Sequence, residues 1–93
     1  MASHSEVIHN SAEQRFELAE GGHTAIASYR LEGDKISFTH TVVPEEIEGR
    51  GIGSRLIRAA LDQVREQGLK VEPLCYFVKG YIERHPEFQD LLA

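Results

Sequence analysis

Residues 47–56 read IEGRGIGSRL, with glycine at 49, 51 and 53 directly ahead of an amphipathic run. Glycine costs about 1 kcal/mol relative to alanine inside a helix, so something else must favour it here. A helix start leaves about four backbone N–H groups without intrahelical partners and carries partial positive charge. Glycines at that point let an anion reach the main chain, and phosphate is the usual occupant. The other explanation is a tight turn with close helix–sheet packing. Spacing alone leaves both open.

Downstream, the period is helical. Ile52, Leu56, Ile57, Ala60, Leu61 and Val64 form one stripe, with Arg55, Arg58, Asp62, Arg65 and Glu66 opposite. Arg58 and Asp62 are spaced as an i,i+4 pair, and Gly68 is a natural C-terminal stop. Residues 69–76 are extended around Pro73, 77–85 return to helical spacing, and His85-Pro86 ends that helix. Upstream, the pattern alternates over 14–19, 23–31 and 35–43, with turn signals at 21–22 and 32–34. In the last of these segments Ile36, Phe38, His40 and Val42 are in phase, which places His40 on the apolar face.

The expected order is β-β-β-α-β-α, an α+β fold with a mixed, mostly antiparallel sheet. Segments 35–75 would form a right-handed crossover joining parallel strands. The glycine turn then falls at the C-terminal end of a strand, where open α/β sheets bind ligands. A chain of 93 residues suits a single domain over 1–93 with its core at about 14–90.

Formal net charge is −5, which disfavours nucleic acid and anionic membranes as partners and suits a basic acceptor such as a polyamine or a lysine side chain. It also makes the local cluster of Arg50, Arg55 and Arg58 informative. Cys75 is the single cysteine. No disulfide within the chain is possible, no metal site is expected, and a reducing, cytoplasmic compartment is the expectation. No signal peptide or membrane span is expected either. His4, His9 and His23 have no partners at useful spacing.

Two phosphate motifs do not fit. The P-loop requires Gly-Lys-Ser/Thr, and the dinucleotide fingerprint requires G-x-G-x-x-G after a leading strand. A third does. VVPEEIEGRGIGSRLIRAAL (42–61) resembles the acetyl-CoA pyrophosphate loop of the GCN5-related N-acetyltransferases, Gln/Arg-x-x-Gly-x-Gly/Ala, with Gly51 and Gly53 in the small-residue positions. Glu48 stands where that motif has Gln or Arg, with Arg50 beside it to restore the charge. HTVVPEEIEGRGIGSRL and GLKVEPLCYFVKGYIERHPEF together resemble a small stand-alone family of such domains, over roughly residues 14–90.

The resemblance implies a minimal acyl-CoA N-acyltransferase fold, acetyl-CoA as co-substrate and an amine or other small acceptor. It implies CoA contacts from Val42, Val43, Gly49, Arg50, Gly51, Ile52, Gly53, Ser54 and Arg55, with a strand-end N–H of Val42 or Val43 on the thioester carbonyl. It also places Cys75 beside the pantetheine arm, where a thiol of lowered pKa at a helix start could carry the acetyl group. The plain reading of Cys75 is a small buried hydrophobe.

His40 is either a core histidine or a general base near neutral pH. Tyr81 and His85, one turn apart, are an acid for the leaving thiolate or simply helix packing and an end cap. Three functions follow: an acetyltransferase, a non-catalytic acyl-CoA-binding or protein-interaction module, and a structural domain with a tight turn.

Overall fold

The computed structural model describes residues 6–93; His4 and the first residues of the N-terminal segment lie outside the described residues. Alternation and turns give the strands β1 (Val7–Asn10), β2 (Arg15–Glu20), β3 (His23–Glu32) and β4 (Lys35–Val42). A 3-10 turn at Glu45–Ile47 leads to helix α1 (Ile52–Glu66). Strand β5 (Lys70–Pro73), helix α2 (Tyr76–Arg84) and a 3-10 segment at Pro86–Leu91 follow. The sheet order is β1-β2-β3-β4-β5. Neighbours are antiparallel except β4 and β5, which run parallel across the α1 crossover.

Strand β1 is an addition to the expected order. Its four residues are too few to show a period, and its pairing with β2 supplies what its sequence does not: Val7 lies opposite Leu18 and His9 opposite Phe16. His9 therefore has partners. Its ring stacks on Phe16 at 4.3 Å, and its Nε2 lies 2.6 Å from the Tyr29 hydroxyl.

The sheet is one-sided. Phe16, Leu18, Ala25, Ala27, Tyr29, Ile36, Phe38 and Val71 are buried beneath α1, which contributes the expected stripe of Ile52, Leu56, Ile57, Ala60, Leu61 and Val64. Alanines at 25 and 27 give the helix room to approach. Val78, Tyr81 and Ile82 of α2, with Phe88 and Leu91, extend the same core. The opposite face is polar, as alternation requires. There Glu17 accepts from Arg15 and Asn10, and Ser37 donates to Glu72 at 3.0 Å. Gly68 ends α1 as expected, its N–H on the Arg65 carbonyl and the Leu69 N–H on that of Val64.

Two departures from regular pairing shape the end of the sheet. Ser28 faces His40 and Tyr29 faces Phe38, so Thr39 is an extra residue in β4. Such a bulge breaks the alternation. Phe38 and Thr41 now share the core face, opposite Tyr29 and Ala27. His40 and Val42 turn to the open face, and both are exposed. This corrects the expected placement of His40 on the apolar face: the period-two reading is valid to Phe38 and inverted after it.

The second departure is a parting of strands. The β4–β5 register ends at Phe38–Pro73, and the Cys75 N–H on the Phe38 carbonyl (2.9 Å) closes it. Strand β4 continues to Val42 with no β5 residue beside it.

Candidate functional site: the glycine turn and the Cys75 cap

The glycines serve two different purposes. Gly49 and Gly51 have φ of 84° and 71°, a region that side chains with a Cβ rarely adopt, and Gly51 is the N-cap of α1. Gly53 is already helical, but a Cβ there would stand 2.6 Å from Cζ of Phe77. Thus Gly49 and Gly51 shape the turn, and Gly53 lets α1 approach α2. No side chain caps α1, and its first turn holds no acidic residue, so its leading N–H groups keep their donors for another partner.

These donors open onto a cleft of about 380 Å³ lined by Val43, Glu48, Gly49, Gly51, Ile52, Gly53, Ser54 and Phe77. A Cβ added at Gly49 or Gly51 would meet no atom within 4 Å, so it would stand in open space.

The cleft gathers Val43, Gly49, Gly51, Ile52, Gly53 and Ser54 among the residues expected to bind. Arg50 and Arg55 are not among its lining residues. Arg55 reaches Glu20 at 2.8 Å and Glu6 at 3.4 Å, and Arg50 reaches Glu20 at 3.5 Å. Arg58 feels the charge of Asp62, reaches Glu87 at 3.6 Å and lies over the Phe88 ring. The expected cationic cluster is therefore dispersed among carboxylates that only the fold brings near. Among the described residues, Glu48 is the one charged residue on the cleft lining. Phe77, expected only as an apolar position of the second helix, joins the lining through its contact with Gly53.

Cys75 stands at the start of the other helix, where its side chain makes no capping hydrogen bond. It is the half-buried N-cap of α2, and its thiol donates to the Thr41 hydroxyl at 3.4 Å. Burial pushes its pKa up, but the Thr41 hydroxyl and the backbone N–H groups of Val78, Phe77 and Thr41 outweigh that and bring it below the ordinary thiol value. Thr41 is the site residue that sequence reasoning missed. The bulge turns Thr41, between His40 and Val42, to the core side, where its hydroxyl meets the sulfur.

The sign is testable. Alkylation of Cys75 by iodoacetamide should reach half its limiting rate at a pH below that of a free thiol. In Thr41→Val, which keeps the backbone donors and loses the hydroxyl, the midpoint should move upward. The linkage runs the same way: a thiol pKa lowered by folding adds stability above the unfolded pKa, and that stability is lost as pH falls through the folded one.

His40 does not touch Cys75. Its Nδ1 lies 3.2 Å from Thr39 Oγ1 on the open face, whereas Thr41 and the thiol lie on the core side of the gap. His85 Nδ1 donates to the Tyr81 carbonyl at 2.8 Å and its ring stacks on Tyr81, so these two are an end cap and packing. Among the described residues, no group of three or more His, Cys, Asp or Glu side chains is placed to hold a metal ion. No helix among them is long and apolar enough to cross a membrane.

The sequence profile of the GCN5-related N-acetyl-transferases matches residues 15–91. The chain belongs to this family. Curated relatives carry the name Protein NATD1. The Homo sapiens protein is 34% identical over 83 residues, covering 86% of this chain and 74% of the relative. The Danio rerio protein is 33% identical over 88 residues, covering 91% and 80%. The NMR structure of a GCN5-like Staphylococcus aureus protein superposes with a TM-score of 0.73 at 29% identity, over 99% of this chain and 91% of the other. The fold is thus that of the N-acetyltransferase family, reduced to a five-stranded mixed sheet with helices on one face.

Proposed function

We propose that this protein binds acetyl-CoA with its pyrophosphate on the glycine turn and passes the acetyl group, through Cys75, to an amine or other small acceptor. One observation carries the reading: the cleft and the thiol share both walls. Val43, just past the end of β4, lines the cleft, and Thr41, two residues earlier and about 7 Å away along the extended chain, touches the sulfur. On the other wall Phe77 lines the cleft two residues after Cys75. A phosphate held at one end would let a pantetheine arm run along the gap that β5 leaves.

The residues present fit that ligand. The uncapped first turn of α1 offers N–H donors, and Gly49 and Gly51 leave open the space that a Cβ would fill. Glu48 opposes an anion and lowers the affinity that the turn alone would give.

Acetyl-CoA supplies an activated thioester when bound. The Cys75 thiolate attacks its carbonyl carbon, a new S–C bond forms, and the bond to the CoA sulfur breaks. The departing thiolate takes up the proton that Cys75 has lost. A strand-end N–H, that of Val42 or Val43, would stabilise the carbonyl oxygen as charge develops there. An amine entering from the open sheet face then attacks the acetyl-Cys75 carbonyl, and the bond to the Cys75 sulfur breaks and restores the thiolate. His40, exposed on that face with its Nδ1 at Thr39, takes the amine's proton.

The test is to mix the protein with acetyl-CoA and a panel of primary amines, following free CoA and the intact mass. Acetyl-Cys75 should form, and CoA release should continue when a competent amine is present. Binding without acetyl-enzyme or CoA release would make the chain a non-catalytic acyl-CoA module.

A further inference from the structure

We propose that Glu20 sets how tightly the cleft holds a phosphorylated ligand, by keeping Arg50 out of it. The inference rests on the acetyl-CoA reading above. Arg50 lies between Gly49 and Gly51, both cleft residues, so its Cα is about 3.8 Å from each of theirs. Its guanidinium nevertheless points away, to Glu20 Oε2 at 3.5 Å, and lies above Gly21, where an added Cβ would sit 3.8 Å from Arg50 Nη1. Among the described residues, the one charged residue left on the cleft lining is a carboxylate, Glu48.

The two bonds of Glu20 are unequal. Its Oε1 holds Arg55 at 2.8 Å, and Arg55 has a second carboxylate in Glu6 at 3.4 Å. The contact with Arg50 is long, and the Arg50 side chain is 54% exposed. An exposed ion pair of that length is weak and exchanges readily. A pyrophosphate offers the same guanidinium a more highly charged, bidentate acceptor. When Arg50 leaves, Glu20 stays on Arg55, so the first turn of α1 keeps its tie to β2. Glu20 thus acts as a positioning residue that competes with the ligand for Arg50, and Arg50 then offsets the carboxylate of Glu48.

The experiment measures dissociation constants for CoA and for pantetheine, which has the same arm without phosphates. The proteins are wild type, Glu20→Gln, Arg50→Gln, the double variant, and Glu6→Gln as a control that touches Arg55 alone. Glu20→Gln should tighten CoA binding by about three- to tenfold, the range of a freed surface cation meeting phosphate. Arg50→Gln should weaken CoA binding, and adding Glu20→Gln to it should change nothing further. Pantetheine binding and Glu6→Gln should stay at wild-type values, with melting temperatures confirming that each variant is folded. Unchanged or weaker CoA binding by folded Glu20→Gln overturns the proposal, as does a gain that persists without Arg50. If wild type and Glu20→Gln both fail to bind CoA while folded, the acetyl-CoA reading itself is wrong.

Discussion

Cys75→Ala should lower acetyl transfer by roughly 10³-fold or more, the scale of removing a covalent nucleophile, and leave CoA binding unchanged. The sulfur lies beside the proposed binding site without lining the cleft, so its loss removes a reacting atom and little binding surface. Its destabilising effect should also be small, because the side chain is only half-buried. Cys75→Ser is the companion variant. A serine hydroxyl keeps the contact with Thr41 and caps α2 better than a thiol, but it is not ionised at neutral pH. It should be folded, bind CoA and be nearly inactive. Transfer rates that survive in both variants would mean that the amine attacks directly, and that the lowered thiol pKa reflects only the hydrogen bonds around the sulfur.

Gly51→Val should reduce CoA affinity by about 10²-fold or more, equivalent to roughly 2.7 kcal/mol. Two effects combine. Gly51 has φ of 71°, where a β-branched residue costs on the order of 1–3 kcal/mol. Gly51 also lines the cleft, and an added Cβ meets no protein atom within 4 Å that would hold the new side chain away from a ligand. The control is Gly33→Val in the β3–β4 turn, where φ is 62° and a Cβ again meets no atom within 4 Å. That variant carries the same strain away from the cleft. Both should melt at lower temperature, but Gly33→Val should bind CoA normally. Equal CoA binding by the two variants would reduce the glycine turn to a device of chain geometry.

Local patterns made much of this molecule legible. The stripe from Ile52 to Val64, the stop at Gly68 and the His85-Pro86 break each depend on residues within a turn or two of one another. Their physics is local, and the structure follows them. The position of the glycine turn after β4 follows from the same logic. What escaped depends on partners distant in the chain. Strand β1 is too short to show a period and is defined by β2. The extra residue at Thr39 leaves no mark in composition, yet it sends His40 to the open face and aims Thr41 at Cys75.

Charge pairing was hidden for the same reason. Arg58 has Asp62 at helical spacing but meets Glu87, and Arg50 lies inside the loop but reaches Glu20 across the sheet end. Long flexible cations choose among carboxylates by three-dimensional proximity, which spacing along one helix does not report. Motif reading found the glycine turn, and the fold supplied its wall, Phe77, and the hydroxyl facing the thiol, Thr41.

The central claim is that the turn at Gly49–Ser54 holds the phosphates of acetyl-CoA. Calorimetric titration of acetyl-CoA into the purified protein tests it most directly. The account predicts one site of micromolar strength, weakened by salt and weakened about 10²-fold or more in Gly51→Val. An absence of heat up to millimolar ligand, from a protein that melts cooperatively, would contradict it. The three glycines would then be explained by backbone geometry and the contact with Phe77 alone.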